Sequence, residues 1–244
     1  MTIAIVGKYF ATGDYQLRDS YAALMDAIDH ASWRLSIGTN VRWIQSEKLE
    51  KGSLEYLSEA DGIIVPIGWG SRGVEGKIKA INFARVHNVP YLGLCYGMQL
   101  AVVEYARNVL GLSAAHTIEC DSGTPHPVIC EIKGQAELLK RRAYGGTMRL
   151  GRWECEVKPA TTAEESYRKW SGFDDKEKRI VAERHRHRYE FNDAYAKQFE
   201  ESGLVISGRS VVEHLVEIIE LPRDTHPFFI GTQFHPEYRS RPLR

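Results

Sequence analysis

An α/β fold, with a doubly wound and mostly parallel sheet and helices on both faces, is predicted here by three observations. Short runs of β-branched and aliphatic residues alternate with helical patterns through the first hundred residues, the rhythm of a parallel sheet. Apolar residues make up 43% and charged residues 26% of 244, enough for a packed core and far from disordered compositions. The second half supplies further strands with fewer helices between them, which reads as a mixed continuation of the same sheet.

The elements follow in order. Strands are expected over 3–6, 41–44, 62–65 and 89–94. Between them Leu17, Tyr21, Leu24 and Ile28 share one helical face, and a helix over 75–86 carries Ile78, Ile81 and Arg85 at helical spacing. Further strands are expected over 153–157, 204–207, 215–221 and 228–234. Residues 121–127 are rich in turn formers and 160–178 are polar and charged, so both read as surface loops. No repeat, low-complexity tract or linker interrupts the chain, and residues 1–244 are expected to form one domain.

Thirty-two Lys and Arg balance 32 Asp and Glu, which gives no general handle for nucleic acid or an anionic membrane. The start lacks a basic segment followed by an apolar core, and no run approaches the ~20 apolar residues of a membrane span, so a cytoplasmic protein is expected. Four cysteines, at 95, 120, 130 and 155, are too few for a disulfide scaffold, and none lies in a CxxC pair.

Cys95 stands apart. The segment 89–99 passes from a buried-strand pattern directly into a helix with Leu100, Val103, Ala106 and Val109 at apolar positions, and Cys95 is at the hinge. Gly93 and Gly97 permit the close backbone approach that a sharp strand-to-helix turn demands, as in the elbow of Gly-x-Ser-x-Gly hydrolases. A helix N-terminus also favours negative charge, the state of a reactive sulfur. A thiolate attacking an amide needs a general acid for the departing amine and a group to orient that acid. His235 follows a strand pattern, and Glu237 lies two residues on across the rigid Pro236. His185 and His187 form a His-x-His pair, which without a nearby third ligand points to no metal.

Residues 93–99, Gly-Leu-Cys-Tyr-Gly-Met-Gln, together with Phe234-His235-Pro236-Glu237, resemble the class I, or triad, glutamine amidotransferases. Narrower stretches are similar to the glutaminase domain of CTP synthase: residues 65–77, 145–151, 183–192 with their Arg-His alternation, the opening Val6-Gly7-Lys8-Tyr9, and 216–220. The resemblance implies a flavodoxin-like core and L-glutamine as substrate. It makes Cys95 the nucleophile, His235 the proton shuttle and Glu237 the residue that orients it. Backbone N–H groups of Ile67, Gly68 and Tyr96 would form the oxyanion hole, and Gln99, Glu119, Arg188 and Tyr189 would hold glutamine. An ammonium requires an acceptor and a carboxylate a guanidinium, which Glu119 and Arg188 supply.

The family also implies a synthase (amidoligase) partner that binds ATP with Mg and aminates UTP to CTP, and GTP as an activator near Trp69 and Arg149. No cofactor is expected within this domain itself. No Gly-x-x-x-x-Gly-Lys-Ser/Thr loop occurs in the 244 residues, so the amidoligase part is expected to be absent from them. The chain also stops at Arg244 without a closing helix that such an ending leads one to expect.

Two substitutions depart from the family pattern. Tyr96 replaces leucine, which places a larger side chain at the expected pocket mouth. Ile67 replaces the first of two glycines. Were left-handed φ required there, Ile would lose roughly 1–2 kcal/mol and the turn would rest with its donor averted, and Ile67→Gly would raise turnover about ten- to thirtyfold. Two other readings therefore stand beside the glutaminase: a regulatory glutamine-binding module without turnover, and a free-standing hydrolase of γ-glutamyl compounds.

Overall fold

The computed structural model describes residues 1–8, 11–12, 15–16, 21–52, 54–132 and 148–242. Leu17, Tyr9 and residues 145–147, used above, lie outside that set. Strand β1 (Thr2–Gly7) is followed by the short pair β2 (Ala11–Thr12) and β3 (Tyr15–Gln16), helix α1 (Ala22–Leu35) and β4 (Asn40–Gln45). Then come α2 (Ser46–Lys51), β5 (Gly62–Val65), α3 (Val74–Val86), β6 (Tyr91–Leu94) and α4 (Tyr96–Asn108). The second half holds β7 (Ala115–Thr117), β8 (His126–Glu131), β9 (Arg149–Val157), α5 (Thr162–Lys169), β10 (Ile180–His187), β11 (Tyr189–Phe191), α6 (Ala196–Glu201), β12 (Val205–Ser210), β13 (Val216–Glu220) and β14 (Phe229–Thr232).

Nine strands form one sheet in the order β10-β9-β12-β13-β14-β6-β5-β1-β4. The half from β14 to β4 is parallel, and the half from β10 through β13 to β14 is antiparallel. The mixed continuation expected from sequence is thus a run of antiparallel strands added to one edge. A small sheet, β11-β8-β7, lies apart. Between the two, α4 packs against β6 and β14 on one side and β7 and β8 on the other, which is why every residue from Tyr96 to Ala106 is buried. Such a helix shows no polar face to solvent.

Two stretches expected to be loops contain regular structure. Helix α5 occupies Thr162–Lys169, capped by Thr161, whose hydroxyl accepts from the Glu164 N–H at 3.2 Å. Glu164 also pairs with Arg168 one turn on. High charge there serves a solvated helix face. Strand β8 begins at His126, inside the turn-rich segment. No described helix is long and apolar enough to cross a membrane.

Candidate active site

Three adjacent parallel strands, β5, β6 and β14, end on the same side of the sheet, where open α/β sheets place their ligands. Cys95 follows β6 directly with φ 53° and ψ −99°, and α4 starts at the next residue. A positive φ on a residue with a β-carbon is strained by about 1–3 kcal/mol and persists only where its surroundings fix it. Here the Cys95 N–H donates to Thr232 O on β14 at 2.7 Å, and Cys95 O accepts from the Gln99 N–H at 3.1 Å. A β-carbon on Gly97 would collide with Val65 O, and one on Gly93 would lie 2.8 Å from the backbone of Gly97. Both glycines are therefore required by the elbow, as the sequence predicts.

His235 lies just beyond β14, fully buried, with its N–H on Arg184 O at 2.8 Å and its ring stacked on Tyr238 at 4.6 Å. Its Nδ1 is 2.7 Å from Glu237 Oε1. Burial by itself would lower the pKa of this ring, but attraction to Cys95 and to Glu237 outweighs it and holds the pKa well above the usual histidine value. Sequence reasoning missed Gln233. Its Nε2 donates to Cys95 Sγ at 3.6 Å, and its Oε1 accepts from Gln99 Nε2 at 3.2 Å. Gln99 Nε2 also donates to Tyr189 O at 2.8 Å, so Gln233 links Cys95 to the residues expected to hold substrate. Its position one residue before Phe234 in the quoted motif was the available signal.

The turn after β5 corrects the expectation for Ile67. Among the described residues, the non-glycine residues with positive φ are Ser36, Asn88, Cys95, Ala160, Ser171, Arg179 and His214, and Ile67 is not one of them. Gly68 has no left-handed φ either. Ile67 is 8% exposed and packs with Ile5, Tyr21, Leu24, Ile28, Leu94 and Cys95. Its β-branched side chain fills an apolar cluster instead of straining the backbone. Tyr96 likewise is not at a pocket mouth. It is 1% exposed, its hydroxyl donates to Gly70 O at 2.8 Å and lies 3.2 Å from Cys120 Sγ.

Glu119 accepts the Gly70 N–H at 2.8 Å. Burial raises its pKa, against the Gly70 hydrogen bond and the charges of Lys8 and Arg188. Acid and guanidinium thus lie within electrostatic reach of each other beside the turn.

Arg149 does not lie open to a nucleotide. Its side chain is 5% exposed, and its guanidinium is bonded to Glu217 at 2.7 Å and Glu213 at 3.4 Å and stacked on Trp153 at 4.7 Å. A buried Arg engaged by two acidic side chains has little left for a phosphate. Trp69 keeps partial exposure, with the Arg186 guanidinium 5.3 Å from its ring.

The His-x-His pair gains a third donor that the sequence did not reveal, since the donor atoms of His185, His187 and Glu217 all lie within 4.8 Å of one another. Carbonyls only accept, so His187 Nδ1 donates to Tyr189 O at 2.9 Å and its Nε2 accepts from His185 Nδ1 at 3.0 Å. With the facing nitrogens used on each other and Arg149 on Glu217, the two histidines form a buried hydrogen-bonded pair, and Glu217 Oε2 stands 3.6 Å from His185 Nδ1. An apolar cavity of about 470 Å³ lies elsewhere, between α1, α5 and the sheet, and reaches only Glu237 of the three candidate catalytic residues.

The comparisons with known proteins follow the same lines. Residues 16–244 match the model of the class-I glutamine amidotransferases. The chain is 49% identical over 243 residues to a CTP synthase of Synechococcus sp. (strain JA-3-3Ab), covering 99% of this chain and 41% of that one. It is 48% identical over 242 residues to a CTP synthase of Caldanaerobacter subterraneus subsp. tengcongensis, covering 99% and 42%. It therefore spans about two fifths of the length of these relatives. The solved glutaminase domain of Trypanosoma brucei CTPS, with bound acivicin, superposes with a TM-score of 0.82 at 33% identity over 99% of this chain and 88% of that one. With an elbow cysteine, a buried His–Glu pair and a family match over nearly all its residues, the chain belongs to the class-I glutamine amidotransferases.

Proposed function

We propose that this chain hydrolyses L-glutamine to glutamate and ammonia through Cys95, His235 and Glu237, and that joined to a synthase domain or subunit it supplies the nitrogen that aminates UTP to CTP. The observation that carries the reading is the Glu237–His235 contact at 2.7 Å, in a ring whose pKa is raised by the charges of Cys95 and Glu237. A protonated imidazole beside the elbow sulfur is the acid that a departing amine needs. Cys95 attacks the side-chain amide carbon and the C–N electrons leave with the proton of His235 as ammonia. His235, now neutral, takes a proton from water, which attacks the thioester and returns free Cys95 and glutamate. N–H groups of the turn after β5 and of Tyr96 stabilise the oxyanion of each addition.

Glu119 and Arg188 hold the ammonium and carboxylate of glutamine, with Gln99, Tyr189 and Gln233 lining the path to Cys95. ATP, Mg and UTP belong to the synthase part in this reading, and GTP acts at the junction, where Trp69 and Arg186 rather than Arg149 present surface. The reading without turnover loses its motive, because Ile67 bears no left-handed strain. Ammonia release from glutamine, with and without GTP or a synthase partner, is the test. Ammonia from glutamine with acceleration by the partner is expected. Turnover of other γ-glutamyl compounds in preference to glutamine would instead favour a free-standing hydrolase, and bound but unconverted glutamine a regulatory module.

A further inference from the structure

The turn after β5 is held by two lysines to which the glutaminase reading gives no role. Lys8, at the end of β1, donates to the carbonyl oxygens of Trp69, Gly70 and Arg72. Lys77, on α3, is 0% exposed, and its Nζ donates to Pro66 O at 3.2 Å. Both Nζ atoms lie 5.3 Å from the centroid of the Tyr96 ring. A β-carbon on Gly68 would lie 3.0 Å from Tyr96 Cδ1, 3.1 Å from Lys77 Nζ and 3.2 Å from Lys8 Cε. Gly68 is thus wedged between the ring and both lysine side chains. Among the described residues no carboxylate lies within ion-pair distance of Lys77. A buried amine without such a partner is a costly way to fill space.

We propose that Lys77 is a positioning residue for glutamine hydrolysis: its ammonium ties Pro66 O to α3 and Tyr96, fixes the Pro66–Gly68 backbone, and keeps positive charge beside the oxyanion. The inference rests on the glutaminase reading. Attack by Cys95 moves negative charge from Sγ to the amide oxygen, and a cation fixed beside the turn favours the charge in its new position. The groups that face Lys77 are Lys8 on β1, Glu47 on α2, Arg72 in the turn, Cys95 at the elbow and the Tyr96 ring on α4. Burial first, then Lys8, lower its pKa to about 7, while Cys95 and Glu47 oppose them and Arg72 adds to the lowering. Its charge is therefore lost as pH rises through neutrality, and kcat falls with it.

The test uses the full chain and the variants Lys77→Met and Lys77→Gln, the second of which retains a donor for Pro66 O. Lys77→Met is expected to lower kcat for glutamine by about tenfold or more with KM within about twofold, and to remove the fall in kcat above neutral pH. Lys77→Gln recovers part of kcat but not the pH dependence. Alkylation of Cys95 by iodoacetamide, which forms no oxyanion, slows far less than kcat does in both. An unchanged kcat in Lys77→Met overturns the inference, as does a parallel loss of kcat and alkylation, which would place the effect on the thiol. Should Lys77→Met not fold, Lys77→Gln decides by the same readouts. Wild type that releases no ammonia removes the glutaminase reading and this inference together, whereas active wild type beside an unaffected Lys77→Met removes this inference alone.

Discussion

Ile67 shows how a residue's neighbours decide its meaning. Beside a glycine in a catalytic turn it suggests strain, yet its φ is not positive and its side chain completes a cluster with Tyr21, Leu24 and Leu94. Ile67→Gly should therefore lower stability by about 3 kcal/mol in urea unfolding, through the vacated volume and the freer unfolded chain, without raising kcat. A tenfold gain in turnover would restore the averted-donor account. The charges at the substrate end give a second prediction. Glu119→Ala and Arg188→Ala should each weaken glutamine binding by about 1.5–3 kcal/mol, measured calorimetrically, the range for hydrogen bonds to charged groups. Unaltered affinity in both variants would show that other residues hold the amino-acid end. The elbow at Cys95 and the pairing of His235 with Glu237 were legible because both are tied to local motifs. The contacts of Gln233 and Lys77 were not, because what a glutamine beside a strand end and a lysine on a helix touch is decided only by what the fold sets against them.

At the level of elements, the parallel half of the sheet was readable to within a residue or two, since strands buried on both faces appear as unbroken apolar runs. Helix α5 and strand β8 were hidden by polar composition, although Thr161 and Glu164 carry the spacing of a capping box. The α3–α4 contact was equally unreadable, because its anchor is a charge in an apolar helix. Glu104, 0% exposed, accepts from Arg85 at 2.8 and 2.9 Å, Asn82 at 2.8 Å and Asn108 at 3.0 Å. The three contacts from Arg85 and Asn82 fix α4, and with it the elbow, against the helix that carries Lys77, while Asn108 braces Glu104 from α4 itself. Glu104→Ala strands a partly buried Arg85 and should destabilise the fold by about 3–5 kcal/mol. Equilibrium unfolding that shows less than about 1 kcal/mol would mean that Arg85 reaches water when released.

Across the whole molecule, the antiparallel half brings a set of ionisable groups into the interior, and their protonation makes stability depend on pH. His185 and His187 are kept neutral, first by burial and then by nearby positive charge, so each has a pKa well below its unfolded value. Below about pH 6.5 the unfolded chain binds these two protons and the folded chain does not, so stability falls on acidification. Glu217 acts in the opposite direction. Burial raises its pKa to about 8, with Arg149 opposing and Glu190 reinforcing, and from roughly pH 4.5 to pH 8 the folded chain holds a proton that the unfolded chain has lost. Its contribution therefore fades as pH rises through that window, by roughly 1 kcal/mol per pH unit. Glutamine has the shape of a protonated glutamate but needs no proton on folding. Glu217→Gln should accordingly match wild type near pH 4.5 and become progressively more stable than it up to pH 8, with the histidine contributions common to both chains and cancelling in the difference. Urea unfolding at a series of pH values measures that difference directly. If Glu217→Gln is instead the less stable chain at pH 7, Glu217 is ionised in the fold, and its pair with Arg149 at 2.7 Å outweighs the cost of burying the charge.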